Sequence, residues 1–370
     1  IFYLFWELVL PTMFLLIGVW GPHPEEARHA AIKFFIFTFA GSVLMLAGFV
    51  YLFMMEKTFE MTILASTEIS MEVQKIAFAL IFFGLAVKLP LVPLHTWLPD
   101  AHVEAPAPVS VLLAGVLLKM GGYGFVRMVW ILPKGFVAWF DALLVVAVVG
   151  AIYSGLCAMG QDNFKRMVAY TSINHMSYVF LGTVISAWYI VSGKGEHLEL
   201  ARIALAGSVF EMFAHGIAIG LMFLMAGVLL IKAGTYHISE LGGLGHKTPR
   251  IATLILFGSL AVFGFPPLLV FWGEIQIFIG SIGILLASVN YKWGVVVLLA
   301  PLIVVATYLW TIRRIIMSET TQPVENASDL TVGEVIPLAV ICLVILLFGL
   351  CPWLITDFMK RAIDVQLRLI

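Results

Sequence analysis

The segment from Gly84 to Gly124 reads GLAVKLPLVPLHTWLPDAHVEAPAPVSVLLAGVLLKMGGYG. It is mostly apolar, yet it holds two lysines, two histidines, an aspartate, a glutamate and five prolines. A proline inside a helix removes one backbone hydrogen bond and clashes with the preceding turn. Pro90, Pro93 and Pro99 therefore predict a helix that is interrupted just after Lys88.

The composition around this segment is that of an integral membrane protein. Of the 370 residues, 62% are hydrophobic and 12% are charged, whereas a soluble domain is about half apolar and about a quarter charged. The net charge of −1 gives no indication of a nucleic-acid partner. Cys157, Cys342 and Cys351 lie far apart in apolar runs, so they predict neither a disulfide framework nor iron–sulfur ligands.

Apolar runs of about 20 residues recur along the chain, and each is long enough to cross a bilayer. We therefore expect an all-α integral membrane fold with about ten transmembrane helices, two of them discontinuous. The runs lie near 1–20, 31–55, 73–98, 107–130, 138–158, 166–190, 202–232, 250–290 (two in close succession), 295–316 and 333–354. The loops between them are too short to hold a soluble catalytic domain.

The second interrupted helix lies in AVFGFPPLLVFWGE, with Gly264, Pro266 and Pro267. Its start resembles AVKLPLVPL at the first interruption. Paired broken helices are typical of transporters built from inverted repeats, although two unrelated proline kinks would give the same pattern. We expect a single polytopic domain, 1–370, with the end of a first repeat at 1–130, a second repeat at 138–316, and a terminal span and amphipathic tail at 333–370.

Four charged residues fall inside the apolar runs: Glu7, Lys88, Lys119 and Glu274. A charge at the centre of a bilayer costs about 2.5–3.5 kcal/mol on insertion scales. The long lysine side chains could reach the interface, but the short glutamate side chains could not. A buried lysine releases its proton more readily, and a nearby carboxylate restores the charge. The four residues therefore predict a hydrated proton path in which lysine–glutamate distances control protonation.

Histidines extend this prediction. His175 and His215 lie within apolar runs near serine, threonine and tyrosine, and histidine is suited to proton relay; a structural, hydrogen-bonded role is the alternative. His95 and His102 flank the first break beside Asp100 and Glu104. We expect no metal there, because no third ligand recurs at helical spacing and the prolines interrupt the geometry.

The segment KLPLVPLHTWLPDAHVEAPAPVSVLLAGVLLKMGGYG closely resembles the signature of the antiporter-like membrane subunits of respiratory complex I and of the related cation/proton antiporters. DNFKRMVAYTSINHMSYV resembles the second signature of that superfamily. Within complex I, GFPPLLVFWGE resembles the M-type subunit, which has a glutamate at the second broken helix; the Phe265 and Pro267 of this chain depart from the pattern without touching the acid. The superfamily's chains have about fourteen spans in inverted repeats, so we expect this sequence to be a fragment that lacks the first four.

The resemblance also implies roles for individual residues. All six would take part in proton translocation along the membrane midplane: Glu7 as the modulating glutamate, Lys88 as its partner, Lys119 as the connecting lysine, His175 and His215 as relays, and Glu274 as the terminal acid.

By the same resemblance, the chain would be a proton-translocating subunit of an NAD(P)H– or ferredoxin–quinone oxidoreductase, with no redox chemistry of its own. Flavin, iron–sulfur clusters and quinone would lie on partner subunits, and L-type and N-type antiporter-like chains and lipids would be its neighbours. A bacterial inner (plasma) membrane is expected, with a thylakoid or organellar membrane as the alternative. Two other functions stay open: a subunit of a multisubunit Na⁺/H⁺ antiporter or membrane-bound hydrogenase, and a structural bundle whose charges only hold helices together.

Overall fold

The computed structural model describes residues 1–192, 197–288 and 291–367. The predicted all-α architecture is confirmed: in these ranges there is no β-strand, and one isolated bridge joins Asn163 to His237. Residues 368–370, at the end of the predicted tail, lie outside the described residues. The same is true of residues 289–290, at the end of the spans predicted near 250–290.

The first half of the chain forms nine α-helices and one π-helix. They are α1 (Phe2–Trp20), α2 (Pro24–Glu56), α3 (Met61–Ser66), α4 (Met71–Lys88), α5 (Trp97–Glu104), α6 (Ala107–Leu112), the π-helix Leu113–Leu117, α7 (Leu118–Ile131), α8 (Pro133–Ala138) and α9 (Phe140–Met159). Helix α2 begins before the predicted residue 31, because Pro24 takes the first helical position and Glu25 and Glu26 lie in the first turn, where negative charge favours a helix start.

The second half continues with long helices joined by short ones. They are α10 (Phe164–Ser192), α11 (Leu198–Ala233), the 3₁₀ turn Ile238–Glu240, α12 (Leu244–Lys247), α13 (Pro249–Val262), α14 (Leu269–Leu286), α15 (Tyr291–Val297), α16 (Leu299–Ile316), α17 (Gln322–Glu325), α18 (Val332–Leu350) and α19 (Trp353–Leu367).

Nine helical segments within the described ranges are long and apolar enough to cross a membrane. The spans predicted near 73–98 and at the start of 250–290 are not among them, because they are the interrupted ones. Helix α4 carries three charged residues, Glu72, Lys75 and Lys88, in its 18 residues. Helix α13 has 14 residues and is therefore about 21 Å long, less than the roughly 30 Å hydrocarbon core.

The first interruption covers residues 89–96, between α4 and α5. The indole Nε1 of Trp97 donates a 3.0 Å hydrogen bond to the carbonyl oxygen of Val87, near the end of α4. A side chain from the next half-helix thus replaces a backbone donor that the break removes, as the absence of partners in lipid requires. Lys88 is the last residue of α4, and a helix C-terminus favours a cation.

The second interruption covers residues 263–268, between α13 and α14. Gly264 has a φ of +71°, a left-handed conformation that glycine adopts far more easily than other residues. The Phe265 amide donates a 3.0 Å hydrogen bond to the Leu260 carbonyl, which closes the end of α13.

Helices α10 and α11 form the enclosed centre of the fold. Helix α11 packs against α6, α10, α13 and α14, and α10 also packs against α9. The polar residues of α10 and α11 therefore face protein, whereas α18 lies at the periphery with only Leu338, Ile345 and Gly349 buried.

Candidate functional site

Lys119 is the second residue of α7, the helix that directly follows the π-helix. Its Nζ donates a 2.5 Å hydrogen bond to the Ala114 carbonyl and lies 2.6 Å from Nδ1 of His215 on α11. Single π-turns inside α-helices are frequently found at functional sites. Gly216 lies against the π-helix, where a Cβ would be 3.1 Å from the Gly115 carbonyl oxygen. This close approach of two helix backbones brings His215 to Lys119.

His175, on α10, is fully buried and joins two carboxyl groups. Its Nδ1 lies 3.1 Å from Oε1 of Glu211 on α11 and 3.4 Å from Oε1 of Glu274 on α14. The rings of His175 and His215 are tilted against each other, with their centroids 5.3 Å apart. Lys119, His215, His175 and Glu274 thus form a line of neighbouring polar groups through the centre of the fold.

The carboxyl group of Glu274 is held against the second interruption. A Cβ on Gly264 would lie 2.2 Å from Oε2 of Glu274. Only a residue without a side chain leaves room for the carboxylate there. The sequence feature that breaks the helix therefore also positions the acid.

Glu7 and Lys88 approach each other without forming an ion pair. Lys88 is 1% exposed, and its Nζ lies 5.0 Å from the ring centroid of Trp6, the residue before Glu7. Within the described ranges, neither Lys88 Nζ nor Glu7 Oε1 has a hydrogen-bond partner, although both atoms are buried. With no hydrogen bond or ion pair between them in the described ranges, the lysine–glutamate pair is open in this structure.

The two lysines lie on helices in direct backbone contact. A Cβ on Gly121 of α7 would be 2.7 Å from the Leu89 amide nitrogen and 2.9 Å from the Leu85 carbonyl oxygen. Leu89 follows Lys88, and Gly121 lies two residues after Lys119. The interrupted end of α4 is therefore next to the start of α7.

The histidines and acids of the first interruption and of α5 divide between two environments. His102 is buried and stacks on Phe223 at 4.3 Å. Asp100 and Glu104 instead line a polar cavity of about 430 Å³, with Glu25, Glu26, His29, Ala30, Val103 and Arg166. Asp100 pairs with Lys33 at 2.6 Å and also with Arg166, and Glu104 contacts His23. His95 is buried as well and lies edge-on to Tyr153. No cluster of three or more metal-ligating side chains occurs in the described part of the chain.

Sequence reasoning missed two buried ionisable residues, Glu211 and Lys165. Glu211 is 0% exposed and contacts His175 as described above. It lies four residues before His215, and residues at that spacing share a helix face, so the histidine could have pointed to it. Lys165 donates to the carbonyls of Val103 and Ala105 at the end of α5, where a cation is favourable; its burial was not predicted, because the segment GQDNFKR has the polarity of a loop.

Outside the spans, Asp162 in the α9–α10 loop contacts two other elements. It accepts hydrogen bonds from the backbone amide and hydroxyl of Ser239 at 3.0 and 2.6 Å, and from Arg314 at 3.1 Å. Burial alone would raise the pKa of Asp162, but these hydrogen bonds outweigh it and the pKa is lowered. The carboxylate thus ties the α9–α10 loop to the 3₁₀ turn and to α16.

The chain is similar to known proteins over nearly its whole length. The family model described as NADH:quinone oxidoreductase/Mrp antiporter, TM, matches residues 1–302. NADH-quinone oxidoreductase subunit M of Rickettsia typhi is 36% identical over 356 residues, which cover 95% of this chain and 68% of that protein. NAD(P)H-quinone oxidoreductase chain 4 1 of a Synechococcus strain is 35% identical over 379 residues, with 100% and 69% covered.

Among solved structures, a chain of respiratory complex I from Thermus thermophilus with bound NADH superposes with a TM-score of 0.87 at 26% identity. The match covers 100% of this chain and 74% of that one. The chain belongs to the NADH:quinone oxidoreductase/Mrp antiporter transmembrane family.

Proposed function

We propose that this chain is the M-type membrane subunit of an NADH–quinone oxidoreductase and that it moves protons across the membrane. The names of the relatives that match it from end to end support the complex. The observation that carries the transport role is the buried line of contacts through Lys119, His215, His175 and Glu274.

The chemistry of this line is proton transfer between neighbouring groups. The Lys119 ammonium can give a proton to Nδ1 of His215 over 2.6 Å. Nε2 of His215 and Nε2 of His175 are buried and have no hydrogen-bond partner in the described ranges. Because buried polar groups are normally hydrogen-bonded, we infer that a water molecule hydrogen-bonded to these two nitrogens carries the proton from His215 to His175. His175 Nδ1 then passes the proton to Glu274.

The Glu7–Lys88 pair acts on this line as a switch. When the carboxylate moves towards Lys88, the lysine holds its proton; when the pair opens, the lysine gives the proton up. The change of charge at Lys88 acts on Lys119 because α4 and α7 are in contact at Gly121. Moving one charge against 100 mV requires about 2.3 kcal/mol, which sets the least coupling the switch must deliver.

The remaining parts of the proposal concern the assembly. Flavin, iron–sulfur clusters and quinone belong to other subunits, and the neighbours are L-type and N-type antiporter-like chains and lipids. The membrane is the bacterial inner membrane or its organellar or thylakoid counterpart. The segments 1–130 and 138–316 are parts of two inverted repeats, each with one interrupted helix, followed by the terminal span and tail at 333–370.

A substitution of Lys119 tests the proposal, with a second buried lysine as a matched control. Lys119→Met should stop NADH-driven proton uptake into vesicles that contain the assembled complex. Lys165→Met removes a lysine that holds only backbone carbonyls, so it should lower thermal stability by about 1–3 kcal/mol and leave pumping in place. If Lys119→Met assembles and pumps at the wild-type rate, the charges serve only to hold helices together and the proposal fails.

The same vesicles distinguish a redox-driven pump from an Mrp-type antiporter, which the family description also names. A redox-driven pump acidifies the vesicle lumen when NADH and quinone are supplied and needs no sodium. An antiporter instead exchanges protons for sodium ions when a sodium gradient is imposed, and it does so without NADH.

A further inference from the structure

Glu211 is a buried carboxyl group that the proposed line does not use. Its side chain is 0% exposed, and that of Glu274 is 10% exposed. Both Oε1 atoms contact the same nitrogen, Nδ1 of His175, at 3.1 and 3.4 Å. The two oxygens are therefore no more than about 6.5 Å apart, the sum of these contacts. Two carboxyl groups at this range in a site of low dielectric do not both ionise freely.

The position of Glu211 is built into the fold. Gly273, the residue before Glu274, leaves space for it: a Cβ there would lie 2.4 Å from Oε2 of Glu211. Helix α14 thus makes room for one acid through Gly273 and presents the next residue, Glu274, to the same histidine. Oε2 of Glu211 is buried and, in the described ranges, accepts no hydrogen bond. A structural carboxylate would have both oxygens satisfied.

The charges of the cluster also indicate that the two carboxyl groups do not both ionise. The groups that interact with Glu211 are Lys119 on α7, His175 and Tyr178 on α10, and Glu274 on α14. His215 lies one turn away on the same helix and contacts Lys119. When Lys119 holds its proton it supplies one positive charge, and the two carboxylates supply two negative ones. One additional proton on the histidines and carboxyls makes the cluster neutral, which a buried site strongly favours.

We propose that Glu211 is a second proton-holding group, which shares one proton with Glu274 through Nδ1 of His175. In the transfer, the O–H bond of one carboxylic acid breaks as the N–H bond of the imidazolium forms, and the reverse steps place the proton on the other carboxylate. Nothing is oxidised or reduced. The proton line then branches at His175, with Glu274 towards the second interruption and Glu211 towards Lys119. This inference rests on the proposed function, since it adds a carrier to the same line.

Glu211→Gln is the direct test, in the assembled complex reconstituted in vesicles. Glutamine has the same size and can accept a hydrogen bond from His175, but it cannot hold the proton. A purely structural Glu211 would be rescued by this change. We expect the rate of NADH-driven proton uptake to fall at least tenfold. In a plot of the remaining activity against pH, the part of the curve that reflects titration of the shared proton should disappear.

Three further variants keep the inference falsifiable. Glu211→Asp and Glu211→Asn are equal in size, and only the first can hold a proton, so the Asp variant should pump faster than the Asn variant, even if Glu211→Gln fails to assemble. The double variant Glu211→Gln with Glu274→Gln should be no slower than the slower single variant, because both remove the same shared proton. Equal pumping by the Asp and Asn variants, or a double variant whose losses multiply, overturns the inference.

These outcomes are distinct from failure of the proposed function. If Lys119→Met and Glu274→Gln stop pumping while Glu211→Gln pumps normally, the proton line stands and only the branch is wrong. If Lys119→Met and Glu274→Gln also pump normally, the line itself is wrong.

Discussion

Replacing Gly264 by alanine tests whether the position of Glu274 matters for proton transfer. The new Cβ would lie 2.2 Å from Oε2 of Glu274, whereas ordinary contact begins at 3.4 Å, so the carboxylate must move by about 1.2 Å. The displaced group is the end of a flexible side chain, so the fold can absorb the change. The other oxygen of the same carboxylate makes the 3.4 Å contact with His175, and that contact is lost or distorted.

The substitution also has a cost that is unrelated to Glu274. A residue with a side chain at a φ of +71° costs about 1–2 kcal/mol. Gly234→Ala is the matched control, because Gly234 has a φ of +73° and no atom lies within 4 Å of its Cβ position. Both variants should therefore lose similar stability, and only Gly264→Ala should disturb the acid.

The two effects separate in one assay. Each variant complex is reconstituted in vesicles, and NADH oxidation and lumen acidification are recorded together with the thermal midpoint. A misplacement of about 1 Å can slow a reaction about 10²-fold, so we expect Gly264→Ala to slow proton uptake by up to this factor and Gly234→Ala to keep the wild-type rate. Equal pumping by the two variants, at equal stability, would refute the view that Gly264 positions Glu274 for transfer.

Three other substitutions test the surroundings of the site. Trp6→Leu removes a buried ring that contacts Lys88 and should cost roughly 2–4 kcal/mol in thermal denaturation, whereas Trp310→Leu, on the surface beside Arg313, should change stability by less than about 0.5 kcal/mol. Lys88→Met should reduce proton uptake without loss of assembly, and a wild-type rate would exclude Lys88 as the switch. Asp162→Asn should lower stability by roughly 0.5–1 kcal/mol at neutral pH, since the group is partly exposed. The native carboxylate has a lowered pKa, so its contribution is present above the ordinary Asp value of 3.8 and is lost as the pH falls below it; a difference that persists at lower pH contradicts this reasoning.

The interrupted helices were predictable because proline acts locally. Pro90 and Pro93 end α4 at Lys88, and Pro266 and Pro267 separate α13 from α14, as the loss of backbone donors requires. The boundary of α2 was not predicted, since GPHPEEARHA has the polarity of a loop. Its charges instead lie in the first turns of a helix that begins at Pro24.

The site was predictable residue by residue but not as an arrangement. An ionisable residue in an apolar run is visible in the sequence, and this identified Lys119, His175 and Glu274. Which of them touch depends on how α7, α10, α11 and α14 pack, and the decisive contacts pass through glycines such as Gly216. Glu211 shares a helix face with His215, which is a local signal, but its contact with His175 of α10 depends on packing that no pattern on α11 records.

The Glu7–Lys88 pair and the line from Lys119 to Glu274 differ in their contacts, and the difference indicates different roles. From Lys119 to Glu274 the groups are close neighbours: Lys119 Nζ lies 2.6 Å from Nδ1 of His215, the two histidine ring centroids are 5.3 Å apart, and Nδ1 of His175 lies 3.4 Å from Oε1 of Glu274. On this side, under our proposal, protons move from group to group. Between Glu7 and Lys88 the buried atoms are unpaired, and Trp6 lies against the ammonium. A charge there acts without direct contact, and in a low-dielectric interior such an interaction is stronger and less screened than in water. Under our proposal the Glu7 side therefore transmits an electrostatic signal, and the protons themselves move on the side that runs from Lys119 to Glu274.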